Sequence, residues 1–290
     1  MSAEPNYNQR IGKLIKDLRK ERCFSVDNVS LNIVSASFMR KLEAGQTGVS
    51  VITLLQILKK LKVDQTDFFK CAVPELSYDD IAIIKVVLEP YYNRDVLTLR
   101  KQLEQQRTLY LQTTDQFYLI NQAIIASLIK SIDPAYINDP TLSSFICDYL
   151  TRINNWGSYE IFIFSNCTAI LPSQVILHVS KLFIVMETKF EANHRNTTTL
   201  FIALINAVET LLGRQQIQAA KFVLRHLLHA KIPVDAMVVK FKMTFFENLI
   251  EYDASSARYK NASLIDFLRE IGYSSFASFF QKFMDSFLAG

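Results

Sequence analysis

An all-α protein is what the sequence predicts, on three observations. Half of the 290 residues are apolar, yet there are only 7 glycines and 7 prolines, too few for many short strands and tight turns. Over long stretches Leu, Ile, Phe and Lys recur at three- and four-residue spacing, the period of an amphipathic helix. Between those stretches lie the breakers, in strings such as NDPT, NNWGS, LPS and KIPV.

Taken in order, the first helix is NQRIGKLIKDLRKER at 8–22, with Ile11, Leu14, Ile15 and Leu18 on one face and cations between them. Ser25 is a good N-cap for a short second helix at 25–32, packed through Val26 and Val29. Ser35 is placed to cap a third, SASFMRKLEAG, in which Met39 and Leu42 make the apolar edge and Gly45 is the stop. Ser50 opens a fourth at 50–63, and DQTDFF at 64–69 makes a fifth. CAVPELSYDD at 71–80 reads as a turn-rich linker. Helices then follow near 78–91, 93–112, 115–131, 140–154, 158–170, 173–192, 196–212, 215–229, 234–250, 258–271 and 274–288. Such a run is an α-solenoid of antiparallel helix pairs, with 200–232 close in length to one tetratricopeptide-like unit. The domains are therefore 1–70, the linker 71–80, and 81–290.

Charge divides the chain in the same place. Residues 1–70 carry 12 of the 32 Lys+Arg and 7 of the 28 Asp+Glu, a net of +5, so the remaining residues net −1. A basic module ahead of a near-neutral one suits a polyanion partner for the first part only. Five helices in under 70 residues, with a short connection between the second and third, follow the plan of a helix-turn-helix domain. Its third helix would present Ala36, Ser37, Arg40 and Lys41 to the major groove of promoter DNA, with Arg10, Lys13 and Ser25 also on the DNA side. An arginine can donate two hydrogen bonds to guanine, and Ser or Lys can serve base edges or phosphates.

Other chemistries are not indicated. The chain has no glycine-rich phosphate loop, no HExxH and no GxSxG, so no enzyme is expected. Cys23, Cys71, Cys147 and Cys167 form no CxxC pair, and His226 and His229 lack a third ligand, so neither a metal nor a cofactor is expected. The N terminus lacks the apolar core of a secretory signal, and the most apolar window, 175–186, is short and broken by His178 and Lys181. A cytoplasmic protein without a membrane segment is the expectation.

Two stretches carry a family resemblance. The first, from IGKLIKDLRKER through SASFMRKLEAG to SVITLLQILKKLKV and DFF, resembles the repressor-type helix-turn-helix module, most specifically in Glu43-x-Gly45. That resemblance implies that Glu43 pairs with Arg19 of the first helix to set the angle of the recognition helix. The chain departs from the usual pattern at Ser25, Val26 and Val29, and Phe38 stands where a polar base-reader is common. The second stretch, YLTRINNWGSYEIFIFSNCTAIL at 149–171, is similar to the W-x-x-Y-E-x-x-x-F-x-N segment of the Rgg/GadR/MutR regulators, with Trp156, Tyr159, Glu160, Phe164 and Asn166 at those positions.

The resemblance implies a homodimeric cytoplasmic transcription regulator whose repeats bind a short hydrophobic signalling peptide in quorum sensing, with contacts to RNA polymerase open. A peptide site is expected from Tyr149, Arg152, Asn206, Arg225, Phe245 and Asn248. Arg152 would meet a carboxylate through its two-pronged guanidinium. Asn206, mid-helix, suits a hydrogen bond either to a peptide backbone or to a neighbouring helix. Trp156 and Glu160 read as packing and structural residues. The Phe-rich end of the chain, with Phe279, Phe283 and Phe287, is expected to form the dimer contact, the alternative being a helix folded back on the solenoid. The alternative function is a helical-repeat adaptor for a protein or peptide that does not bind DNA.

Overall fold

The computed structural model describes residues 6–76, 82–154, 156–190 and 194–289, and among these every regular element is a helix. The chain divides into two compact units, Met1–Asp79 and Asp80–Gly290. The last four residues of the expected linker, 77–80, and the start of the helix expected from 78, lie outside the described residues.

The first unit holds α1 (Tyr7–Glu21), α2 (Val26–Ser30), α3 (Ala36–Glu43), α4 (Val51–Leu61) and α5 (Gln65–Ala72). Short helices leave a large share of their N–H groups unpaired, and here the residue before each helix supplies an acceptor. Asn6, Ser25, Ser35, Ser50 and Asp64 accept from the backbones of Gln9, Asn28, Phe38, Thr53 and Asp67. Ile15, Val29, Met39, Leu42, Ile57, Leu58 and Phe68 fill the core. α5 runs past residue 70, because Ala72 and Val73 close that core, and a 3-10 turn at Pro74–Leu76 packs on it. Residues 71–76 are thus part of the first unit rather than linker.

The second unit holds α6 (Ala82–Tyr92), α7 (Val96–Thr113), α8 (Gln116–Ile132), α9 (Pro140–Arg152), α10 (Ser158–Cys167), α11 (Ser173–Phe190), α12 (His194–Gly213), α13 (Ile217–His229), α14 (Met237–Glu251), α15 (Ala254–Glu270) and α16 (Ser274–Ala289). α8, α10, α12 and α14 touch in succession, while α7 packs on α8, α11 and α13 on α12, and α15 on α14. The ends of the series also meet, α6 packing on α8 and α16, and α16 on α12. Arg214 joins two levels of the stack, its guanidinium donating to the carbonyls of Leu171 at 2.7 Å and Ala169 at 2.6 Å.

The Phe-rich helix is not a free surface. Phe279 is buried against Tyr91, with ring centroids 5.4 Å apart, and Phe283 packs on Phe245 and Phe246. Phe287 is half-buried against the same core. The expected dimer contact is therefore replaced by the fold-back. Spacing identifies an apolar helix face, but intramolecular and intermolecular partners satisfy it equally.

Candidate functional site

In the first unit α3 is held by two devices. Arg19 of α1 and Glu43 of α3 form a buried, two-pronged ion pair, Nε to Oε1 at 2.6 Å and Nη2 to Oε2 at 2.8 Å. The remaining arm of Arg19 donates to the carbonyl of Phe24 at 2.9 Å, tying in the turn before α2. The Glu43 hydrogen bonds hold the guanidinium above its ordinary pKa, against the opposing effect of burial. The second device is close backbone approach. A Cβ on Gly12 of α1 would lie 2.0 Å from the Leu42 carbonyl oxygen, and one on Gly45 would lie 2.5 Å from the Gln9 Cα. Gly45 has a φ of +68°, and the N–H groups of Gly45 and Gln46 close the end of α3 on Leu42 and Lys41.

With Met39 and Leu42 buried, α3 turns Ser37, Arg40 and Lys41 to the surface, none of them in an ion pair or side-chain hydrogen bond. Ala36 is half-buried beside them, and Phe38 packs on the core, which explains why it is not polar. Of the other residues expected on the DNA side, Lys13 is exposed on α1. Ser25 is committed to capping α2, and Arg10 pairs with Glu75 of the 3-10 turn, which offsets its charge.

The expected peptide residues do not form one site. Phe245 is fully buried in a cluster with Phe241, Phe246 and Phe280, and Asn248 is buried with its amide donating to Asn261 Oδ1 at 2.8 Å. Both are core residues and are withdrawn as ligand contacts. Asn206 donates to Ser165 Oγ at 3.0 Å and accepts from Lys242 Nζ at 2.9 Å, so its hydrogen bonds run between helices. Lys242 is itself buried and paired with Glu209 at 2.7 Å. Burial pulls its ammonium down, but Glu209, with Tyr92, outweighs it and leaves the pKa above the ordinary lysine value. Arg225 is exposed on α13, in neither of the grooves described next.

Tyr149 and Arg152 do meet, in an open groove of about 640 Å³ with Gln116, Phe145, Asp148 and Asn154. Arg152 is 81% exposed and faces Asp148 at 3.8 Å, while the Tyr149 hydroxyl donates to Glu160 at 3.1 Å. Burial, and then that hydrogen bond to a carboxylate, push the Tyr149 pKa up. A second groove, of about 670 Å³ and mostly apolar, lies between α6, α14, α15 and α16. No residue of the tryptophan motif lines either groove, although Glu160 holds the Tyr149 hydroxyl of the first. Trp156 packs edge-on against Phe183 at 5.0 Å, and Glu160 accepts from the Gly157 N–H at 2.7 Å to cap α10.

Residues 100–282 match the C-terminal domain of the HTH-type transcriptional regulator Rgg. The chain belongs to the Rgg family. This family is one of transcriptional regulators rather than enzymes. Solved Rgg-like folds agree over nearly the whole length. A candidate transcriptional regulator from Listeria monocytogenes EGD-e is 20% identical, with a TM-score of 0.75 over 97% of this chain and 98% of that one. The SHP pheromone receptor Rgg2 of Streptococcus dysgalactiae is 20% identical, with a TM-score of 0.67 over 94% and 99%. PrgX in its complex with cCF10 is 16% identical, with a TM-score of 0.67 over 96% and 99%. The Rgg-family fold thus comprises a helix-turn-helix unit and a tetratricopeptide-like unit. Among the described residues no helix is long and apolar enough to cross a membrane, and no cluster of His, Cys, Asp or Glu could hold a metal.

Two features of this Rgg-family chain escaped the sequence reading. Gly12, a lone glycine within a helical pattern, is the signal for the close approach of α1 and α3. The apolar groove had no signal, because α6, far away in sequence, completes the walls that the consecutive helices α14, α15 and α16 begin.

Proposed function

We propose that this protein is a cytoplasmic, homodimeric DNA-binding transcription regulator controlled by a short hydrophobic signalling peptide held by its repeat unit. The observation that carries the DNA reading is a surface helix with exposed, unpaired Arg40 and Lys41, fixed from behind by Arg19–Glu43 and Gly12. Charges that serve only solubility need no such support; charges that must meet base edges and phosphates at set positions do. Ser37, Ala36 and Lys13 extend that surface. Family membership supports the peptide reading, as do the naming of Rgg2 as a pheromone receptor and a further structural neighbour solved as a bacterial peptide pheromone/receptor complex. Dimerisation follows from the small footprint of one helix-turn-helix unit, which limits specific affinity.

The test is a fluorescence-anisotropy titration of the protein against its own upstream DNA over a salt series, with and without short hydrophobic peptides encoded beside its gene. Selective, salt-sensitive binding is expected, altered by one such peptide. Arg40→Ala should weaken it by about five- to a hundredfold and relax selectivity at one base position. Lys41→Ala, if it removes a phosphate contact, should lower the salt slope by about one. No DNA binding by the wild type would leave the helical-repeat adaptor as the reading, and selective binding without a peptide effect would remove the peptide.

A further inference from the structure

We infer that the groove between α6, α14, α15 and α16 holds the apolar side chains of the regulating peptide, with a positively charged end, its amino terminus, at Glu89. The inference rests on the peptide reading above and assigns its site and polarity. Leu88, Met237, Val238, Phe267, Ile271 and Tyr273 line the groove and are each between 42 and 61% exposed. A soluble protein leaves single apolar side chains in water routinely, but six large ones around one hollow mark a surface that something covers. The volume, about 670 Å³, falls within the usual range of small-molecule pockets.

The chemistry of the walls narrows the occupant. Glu89 is the charged residue of the lining; no lysine or arginine joins it. A carboxylate end would meet repulsion here and a cationic end attraction. Asn93, Ser274 and Ser275 add polar groups at one edge, where a peptide backbone can pair, and the Ser275 hydroxyl already donates to Asn93 Oδ1 at 2.6 Å. The location also suits regulation. Leu88, Glu89 and Tyr92 belong to α6, the first described helix of the second unit, so an occupant would join the start of that unit to its last three helices.

The experiment uses the full chain and a synthetic hexapeptide, Ile-Leu-Phe-Leu-Ile-Gly, labelled at its carboxyl end, in two forms: free amine and acetylated. The free amine should bind about 1.5- to fivefold tighter than the acetylated form, the range of a solvent-exposed ion pair. Glu89→Gln should erase that difference, and Val238→Asp should abolish binding of both forms. Val238 is half in water already, so its substitution does not endanger the fold. Arg152→Ala should change neither affinity. Equal affinity for the two forms, or full binding by Val238→Asp, overturns the assignment, as does no binding by the wild type. If gene-adjacent peptides still alter DNA binding in that case, the peptide reading stands and only its site is wrong. Dissociation of a dimer by Val238→Asp in sedimentation, with peptide binding intact, would also overturn it and make the groove a subunit contact.

Discussion

Each of the two units buries an ion pair between helices, and the two pairs are built differently. Arg19–Glu43 is planar and two-pronged, with a third arm on the Phe24 carbonyl, so it defines an angle as well as a distance between α1 and α3. Lys242–Glu209 is a point charge against a carboxylate, shared with Asn206 and lying 5.8 Å from the Phe280 ring centre. It joins α14 to α12 without imposing a direction. The difference teaches that a planar, two-pronged pair fixes the direction of the helix it holds, as the proposed DNA contact requires of α3, whereas the repeat pair only satisfies its buried polar groups.

The sharpest way to break that comparison is to remove one partner of each pair. Glu43→Ala and Glu209→Ala each leave a cation buried and unpaired, and each should cost about 3–5 kcal/mol of its own unit's stability in thermal unfolding. Replacing both partners separates the roles. Lys242→Met with Glu209→Leu should recover part of that loss, with a remaining deficit of about 1–3 kcal/mol because Asn206 Oδ1 is left without its donor. Arg19→Met with Glu43→Leu should recover stability likewise but not operator affinity in anisotropy. Full recovery of DNA binding by that double variant would show that the pair does not orient α3.

Gly12→Ala tests the second device at α3. Its Cβ meets the backbone oxygen of Leu42, which no rotamer change relieves, so a loss of about 1–3 kcal/mol and weakened DNA binding are expected, with the repeat unit's melting unchanged. An unshifted melt of the first unit would mean that α1 and α3 slide apart freely.

The smallest effect is a pH dependence with a fixed sign. Lys242 holds its proton more tightly folded than unfolded, and burial likewise raises the phenols of Tyr91 and Tyr92. The stability linked to these three groups is complete below their unfolded pKa values, near pH 10, and is lost as pH rises through the folded values. Arginine keeps its charge in that range, so the first unit does not share this loss. Circular-dichroism melts between pH 9 and 11 should show the repeat transition falling first; the opposite order would contradict the assignment.

Legibility follows the same division. In the first unit the caps, the order of helices and the pairing of Arg19 with Glu43 were legible, because caps and helix ends are set by neighbours three or four positions away; that Ser25 is spent on capping α2 and Arg10 on Glu75 was not. In the repeats the helices were legible and their tasks were not. Asn206 and Asn248 advertise a hydrogen bond mid-helix, but nothing local says that the partners are Ser165, Lys242 and Asn261. Phe245 and Phe279 show an apolar face without showing what covers it.

What the sequence by itself determined is the all-α class, the order of helices, the basic first unit and the motif residues that carry the family resemblance. All of these depend on periodicity and on short-range hydrogen bonding, which act within a few residues. Only the tertiary structure decided that α16 folds back on the repeats, that α5 extends through Ala72, that Gly12 is where α1 meets α3, and that six apolar side chains from α6, α14, α15 and the turn before α16 surround one groove. Those outcomes depend on which of several equally apolar surfaces pack together, and burial is non-directional, so it does not name its partner in advance.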